Sequence, residues 1–351
     1  MAWNRGAIVM ATKPTSFDIA QLAGVSQPTV SRALRGSPSV SEQTRKRIEA
    51  IAQQLNYKVD KSASSLRRRE TNTLALLFFE DPTPDGTLIN PFFLSMVGSI
   101  TRTCAQHGYD LLISFQQLSS NWHVDFEESH KADGIILLGY GDFEQHRSRL
   151  EQLAEQHTRF VRWGYAQDNR LGATLGCDNF QGGAAAATHL LDHGRRRIAF
   201  LGDISSHCPE LHDRYRGACA AMEKAGVQPD PLLQVDAITI EQSGYDAARS
   251  LLQRGVPFDA IFAASDLIAI GAIRALEEQG LRVPNDVALV GFDDIPAANL
   301  THPPLTTIQQ DYISAGRVLV ETLLRLIQTG QAENMVLPAR LVVRKSCGAS
   351  R

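Results

Sequence analysis

Arg45, Lys46 and Arg47 place three consecutive cations on one short segment, and they belong to a wider asymmetry. Residues 1–70 hold 12 Lys and Arg against 5 Asp and Glu, a net +7; the rest of the chain holds 23 against 33, a net −10. A cationic head on an anionic body is the balance of a polyanion-binding module joined to a separate domain; the competing reading is an ordinary solvated surface. Metal chemistry has a weaker claim. His123, Asp125, Glu127, Glu128 and His130 crowd one segment, but the two histidines do not stand at HxxxH spacing, and a solvated acidic helix describes the run better. The cysteines at 104, 177, 208, 219 and 347 form no CxxC pair, which argues against a disulfide framework or a zinc site and for a reducing cytoplasm. The chain has no GxGxxG after a strand, no P-loop and no GxSxG, and Gln181-Gly182-Gly183 lacks phosphate-loop spacing. Catalysis is therefore disfavoured, and neither a cofactor nor a metal is expected.

The elements around these residues fall into blocks. A chain of 351 residues, 43% hydrophobic and 21% charged, suits two or three globular units. No apolar run reaches the roughly 18 residues that would span a bilayer. Residues 1–14 read as a disordered tail, with Met10 an alternative start. Residues 15–59 read as three helices. The first covers Ser16–Ala23, with Phe17, Ile19, Ala20, Leu22 and Ala23 as its apolar residues and Thr15 or Ser16 as its cap. Gly24 makes the turn, Ser26 caps a second helix with Pro28 in its first turn, and that helix ends near Gly36. Two short helices about a glycine turn form a helix-turn-helix. A third helix after Ser41 carries Ile48, Ile51, Ala52 and Leu55 as one stripe. Residues 60–71 form a basic, Ser-rich linker. From residue 72 to 351, apolar runs at Leu74–Phe79, Leu111–Phe115, Gly134–Leu138, Phe160–Trp163, Ile198–Leu201, Ala260–Ala263 and Val287–Val290 alternate with amphipathic helices. That pattern predicts parallel sheets in an α/β fold of two lobes, with ligands beyond the carboxyl ends of the strands.

The run Asp18-Ile19-Ala20-Gln21-Leu22-Ala23-Gly24-Val25-Ser26, followed by Thr29-Val30-Ser31-Arg32-Ala33-Leu34, resembles the DNA-binding head of the LacI/GalR family, as do Thr44-Arg45 and Leu55-Asn56-Tyr57. The resemblance implies that the second helix enters the major groove of a double-stranded operator. Gln27, Pro28 and Arg32 would then meet base edges, Arg bidentate on guanine and Gln on adenine. Ser26, Thr29 and Ser31 would meet phosphate oxygens. The linker would be a hinge helix, with Leu66 as a wedge between base pairs and Ala63 as the small residue where paired helices approach. Val59-Asp60 departs from the family's usual Pro-Asn there.

The body shares the family's landmarks: Asn90-Pro91-Phe92-Phe93, Asp133-Gly134-Ile135-Ile136, Asp178-Asn179, Arg214-Tyr215-Arg216-Gly217, Ser265-Asp266, Gly291-Phe292-Asp293-Asp294 and Pro304-Leu305-Thr306-Thr307. The implied fold is a small all-α helix-turn-helix head plus an α/β two-lobed domain of the type I periplasmic-binding-protein kind. The resemblance assigns Arg216 and Asp293 as the charged pair on the effector. Ser265, Asp266, Gln181, Phe92, Phe93, Phe292 and Trp163 stand at or near other pocket positions, and core packing is the alternative for each aromatic. A sugar-like effector that releases a homodimeric repressor from a pseudo-palindromic operator is the leading expectation; a purine-type corepressor and a transport binding protein are the alternatives. No leucine-heptad tail follows Arg344-Lys345, so a coiled-coil tetramer is not expected.

Overall fold

The computed structural model describes residues 14–34, 36–57, 71–78, 89–115, 121–139, 143–165 and 171–348. The chain divides into two units, Met1–Arg69 and Glu70–Arg351. Ala63, Leu66 and the N-terminal tail lie outside the described residues.

In the first unit α1 (Ser16–Ala23), α2 (Gln27–Leu34) and α3 (Glu42–Gln54) form the head. A capping box starts α1: the Thr15 hydroxyl oxygen accepts from the Asp18 amide, and the Asp18 carboxylate accepts from the Thr15 amide at 2.7 Å. These bonds to Thr15 hold the Asp18 carboxyl below its ordinary range. Gly24 ends the helix at φ 62°, a left-handed position where a Cβ is unwelcome. Ile19, Ala20, Ala23, Val30, Ala33, Val40, Ile48 and Ala52 make the core, with Val25, Leu34, Ile51, Leu55 and Tyr57 packed against it. Phe17 and Leu22, expected among the apolar residues of α1, are exposed instead. So small a core has room for one face of an eight-residue helix, and Ile19, Ala20 and Ala23 fill it.

The second unit carries two six-stranded sheets. The N-lobe sheet has the order β2-β1-β3-β4-β5-β11, all parallel, from β1 (Thr73–Phe78), β2 (Asp110–Phe115), β3 (Gly134–Leu138), β4 (Phe160–Trp163), β5 (Ala173–Cys177) and β11 (Met335–Leu337). The C-lobe sheet has the order β7-β6-β8-β9-β10-β12, from β6 (Ile198–Leu201), β7 (Gln234–Val235), β8 (Ala260–Ala263), β9 (Ala288–Asp293), β10 (Thr306–Gln310) and β12 (Ala339–Val342), with β12 antiparallel to β10. Helices α4 (Pro91–Gln106), α5 (Phe143–Glu155) and α10 (Tyr312–Thr329) serve the N-lobe. Helices α6 (Asn179–Asp192), α7 (Pro209–Lys224), α8 (Glu241–Gln253) and α9 (Asp266–Glu278) serve the C-lobe. Strand β1 is buried on both faces: Leu74, Leu76 and Phe78 join one core, Ala75 and Leu77 the other. This is why it reads as a continuous apolar run.

The chain passes between lobes at residues 177–179, 310–312 and 337–339, always beyond the carboxyl ends of β5, β10 and β11. Two of the crossings are alike. Asp178 and Asp311 share φ −73° and ψ 81°, and each caps the helix it opens, accepting from Gln181 N and Ser314 N at 3.0 Å. The Asp178 amide also donates to the Leu337 carbonyl at 2.9 Å, which ties the first crossing to the third.

The acidic segment holds a π-helical turn, His123–Glu128, with structural tasks. The His123 ring pairs with the Thr158 hydroxyl at 3.0 Å, and Glu127 accepts from the Arg159 amide at 2.9 Å, so both brace the approach to β4. Helices α6 and α7 meet through glycine. A Cβ on Gly183 would strike the Arg214 carbonyl, and one on Gly217 the Phe180 carbonyl. Gly183→Ala is therefore expected to destabilise the second unit by about 1–3 kcal/mol or more through overpacking against rigid backbone; a denaturant midpoint equal to that of the parent chain would contradict this packing.

Candidate functional site

Two surfaces carry the chemistry, one in each unit. On the head, Ser26, Gln27, Pro28 and Arg32 are exposed along α2, and Thr29 and Ser31 are half-buried. Buried Val30 and Ala33 anchor the opposite side of the helix. The Gln27 amide donates to the Ser16 hydroxyl at 2.9 Å, and Ser26 and Thr29 share a bond of 2.9 Å. The face thus offers hydroxyls, an amide and a guanidinium near the amino end of a helix, where the backbone dipole favours anions. The cations of α3 divide their duties. Arg45 donates to the Ser37 carbonyl at 2.8 Å and pins the turn after α2, and Lys46 pairs with Glu42 at 3.0 Å, both side chains exposed.

In the second unit the centre is Arg214, whose side chain has no solvent exposure at all. Its Nε donates to the Asn179 side-chain oxygen at 2.9 Å, and its Nη1 donates to the Ala264 carbonyl at 2.5 Å and lies 3.6 Å from Asp293 Oδ1. The guanidinium carbon sits 3.7 Å from the Phe292 ring centroid, a cation–π stack. Gln310 Nε2 donates to Asp293 Oδ1 at 2.6 Å. These groups come from the start of α6, the middle of α7 and the carboxyl ends of β8, β9 and β10, the edge of the C-lobe sheet that faces the crossings. Asp293 is held at φ 114° and Asp294 at φ 57°; such backbone costs on the order of 1–3 kcal/mol and persists only where surrounding bonds dictate it. Here Asp294 accepts from Arg344 at 2.6 Å and from Gln309 at 2.9 Å.

The N-lobe contributes aromatic residues at the carboxyl end of its sheet. Phe92 and Phe93 open α4 with ring centroids 5.2 Å apart, and Phe92 lies 6.1 Å from Trp163 at the end of β4. All three are buried within the core. Arg162, next to Trp163 on β4, is buried on the other face of the strand and donates from Nε to the Thr174 hydroxyl at 2.8 Å. From the C-lobe the half-buried Glu210 comes close, and burial pushes its carboxyl above the usual range against the pull of Arg214 and Arg162. Burial likewise pushes the Cys177 thiol up to about 12, so it stays protonated beside the Arg214–Asp293 pair and is no nucleophile.

Several expected site residues stand elsewhere. Arg216 is not the partner of Asp293: its side chain is 56% exposed and pairs with Asp213 at 2.9 Å on the same helix. Gln181 is exposed on the first turn of α6. Ser265 and Asp266 are fully buried and work within the protein. The Ser265 hydroxyl caps α9 by accepting from Ile268 N at 3.2 Å. Asp266 accepts from the Thr307 hydroxyl at 2.5 Å and from Ile295 N at 2.9 Å, with burial and then Asp293 raising its carboxyl well above the ordinary range. Phe292 and Asp293 do sit together, with Arg214. Arg214, Asn179, Gln310, Arg162 and Glu210 were not singled out as candidates from the sequence; of these, Arg214, Asn179 and Gln310 join the Asp293 cluster. A signal for Arg214 was present: Leu211, Arg214, Ala218 and Met222 stand at i, i+3, i+7 and i+11, so an arginine occupies the apolar stripe of α7.

A helix-turn-helix head on a two-lobed α/β body with a polar cluster at the strand ends defines a DNA-binding regulator with a periplasmic-binding-type sensor domain. Residues 17–60 match the model of bacterial regulatory proteins of the lacI family, and residues 187–347 match a periplasmic binding protein-like domain. The ribose operon repressor of Escherichia coli strain K12 is 30% identical over 339 residues, covering 95% of this chain and 99% of that protein. The structure of the Lac repressor dimer bound to operator and the anti-inducer ONPF superposes with a TM-score of 0.82 at 27% identity, over 96% of this chain and 100% of that one. The complex of the regulator CelR with cellobiose gives 0.70 at 30% identity, over 95% and 99%. The chain belongs to the LacI family of bacterial transcriptional regulators.

Removing Arg214 would strand the buried Asp293 carboxylate and empty the space over Phe292. Arg214→Ala is expected to lower unfolding free energy by about 3–5 kcal/mol in a denaturant titration, the loss typical of breaking a buried ion pair; a change within experimental error would show that this guanidinium does not organise the lobe.

Proposed function

We propose that the protein is a repressor that leaves its operator when a small sugar-like effector binds between the lobes. The observation that carries this reading is the Arg214 guanidinium stacked on Phe292 beside Asp293 at the strand ends. A planar fork of donors and a carboxylate acceptor, side by side, match adjacent hydroxyls of a sugar, and the neighbouring aromatic rings suit its apolar C–H face. Gln310 and Asn179 orient the pair, and Trp163 and Phe92 form the wall of the other lobe. The ribose operon repressor and the cellobiose complex of CelR support an effector of this class. Residues of this kind bind without transforming, and none of them is arranged as a nucleophile with its base.

On the DNA side, Arg32 and Gln27 read base edges, Pro28 gives apolar contact, and Ser26, Thr29 and Ser31 hold phosphates. Leu66 and Ala63 act in the hinge, a role that rests on sequence alone. No described helix is long and apolar enough to cross a membrane, and the proposed place of action is the cytoplasm. The active form is a homodimer. The edge strand β2 supports this by exposing Leu112, Ile113 and Phe115, an apolar strand edge of the kind that proteins cover.

Three measurements test the proposal. Arg32→Ala is expected to weaken binding to the cognate promoter fragment by about 1–3 kcal/mol with a smaller loss on random DNA; equal losses on both would remove Arg32 from base reading. Asp293→Ala is expected to bind operator and ignore every sugar that releases the parent protein; normal release would overturn the pocket assignment. Ile113→Glu is expected to shift sedimentation toward monomer, and an unchanged dimer would move the interface elsewhere.

A further inference from the structure

An arginine and a glutamine on one helix are not equivalent as readers of base edges. A guanidinium carries donors only, so Arg32 offers the same chemistry whichever way it turns. A carboxamide carries donors on one side and an acceptor on the other, so what Gln27 recognises depends on which of them is left free. In this head α1 makes the choice. Gln27 Nε2 donates to the Ser16 hydroxyl oxygen at 2.9 Å. Gln27 is exposed and opens α2; Ser16 is half-buried and opens α1. With its nitrogen bonded to Ser16, the Oε1 of Gln27 has no partner among the described residues. Ser16 itself has little freedom. It directly follows Thr15, whose capping box with Asp18 closes at 2.7 and 3.4 Å. The Val25 amide donates to the Ala20 carbonyl at 3.0 Å just beyond Gly24, and Ile19, Ala20, Val30 and Ala33 share one core, so α2 is fixed against α1.

We infer that Ser16 is a positioning residue for base recognition: by holding the amide nitrogen of Gln27 it leaves the carbonyl oxygen as the group offered to DNA, so Gln27 selects adenine and rejects guanine. The inference rests on the base-reading role proposed above for Gln27 and adds what sets its preference. In the major groove adenine shows an amino donor beside the N7 acceptor, whereas guanine shows two acceptors, O6 and N7. A free Oε1 accepts from adenine N6, and the Nε2 proton not given to Ser16 remains for N7. Cytosine N4 satisfies the oxygen alone. Against guanine the same oxygen would face O6, acceptor against acceptor. To suit guanine the amide has to turn over, which breaks the bond to Ser16. Ser16 need touch no nucleotide to do this. Holding the side chain in advance also removes part of the cost of immobilising it at the interface.

The test reads base preference rather than affinity alone. Selection by the full chain from a duplex pool with a randomised core gives the preferred site, and the position whose preference Gln27→Ala flattens is the one Gln27 reads. There the parent is expected to favour A over G by about tenfold. Ser16→Ala removes the hydroxyl and keeps a good helix former. It is expected to bring that ratio close to one and to lower affinity for the A-bearing site by about three- to tenfold, the effect of leaving one long side chain unheld. Preference at the position that Arg32→Ala flattens should not change. Ser16→Thr returns a hydroxyl and should return the ratio. Three results overturn the inference while keeping Gln27 as a reader: a parent that favours G at the Gln27 position, a Ser16→Ala ratio equal to the parent's, or a Ser16→Ala loss spread over every position, which would assign Ser16 to the fold of the head. A Gln27→Ala profile identical to the parent's is a different failure, because it removes Gln27 from base reading and takes the inference with it.

Discussion

A guanidinium with no access to water has to be surrounded by acceptors, and much of the C-lobe is arranged to supply them to Arg214. Asn179 begins α6 at the crossing, Ala264 presents a carbonyl beyond β8, and Asp293 comes from the end of β9. Helices α6 and α7 must lie nearly in backbone contact to bring Asn179 and Arg214 together, which is why Gly183 and Gly217 face carbonyls across the seam between them. The unfavourable φ of Asp293 belongs to the same requirement. The strand has to turn its carboxylate back toward the arginine, and Arg344 and Gln309 fix Asp294 so that the turn holds. Unpaired burial of a charge is costly enough that these contacts amount to a single unit.

That unit is also where the sequence was hardest to read. The first helix of the head was legible to the residue and the starts of the other two were legible as well, because Thr15, Gly24, Pro28 and Ser41 are local punctuation whose meaning needs no tertiary context. Strands β3, β6 and β8 were legible because burial on both faces leaves unbroken apolar runs, and β4 because Arg162 alone interrupts its run. Strands β5, β7, β10, β11 and β12 were not: Ala173–Cys177 and Thr306–Gln310 are rich in Thr, Gly and Gln, and their burial comes from partners far along the chain. In the polar cluster, Phe292 and Asp293 lie together as two residues the sequence singles out, and the arginine beside them is Arg214 rather than Arg216. Two arginines flank one tyrosine there, and only the phase of the α7 stripe separates the buried one from the solvated one. The functions of Ser265 and Asp266, capping α9 and bracing the β9 turn, depend on Thr307 and Ile295, which no local pattern brings near.

The two ends of the molecule illustrate opposite uses of charge. On α2 the polar groups are left at the surface of a marginal core, so a partner can take their hydrogen bonds without disturbing the fold. In the cleft the charged groups are already satisfied by one another. On the proposed reading, a ligand entering there exchanges bonds rather than filling vacancies, and such exchange discriminates between ligands by hydrogen-bond geometry more than by total contact area.

The interleaved path has a consequence for how the molecule comes into being. The N-lobe sheet takes its outermost strand, β11, and one of its covering helices, α10, from the last fifth of the chain, after all of the C-lobe sheet but β12 has been threaded. A ribosome that has released the first half has not yet supplied the residues that roof that sheet. The early strands therefore wait as an unfinished surface, and the lobes mature together rather than in the order of synthesis. No single cut frees one intact lobe from the other. Any fragment ending before Tyr312 leaves an apolar face of the N-lobe without its cover, so the three connecting segments bind the two lobes into one unit of inheritance.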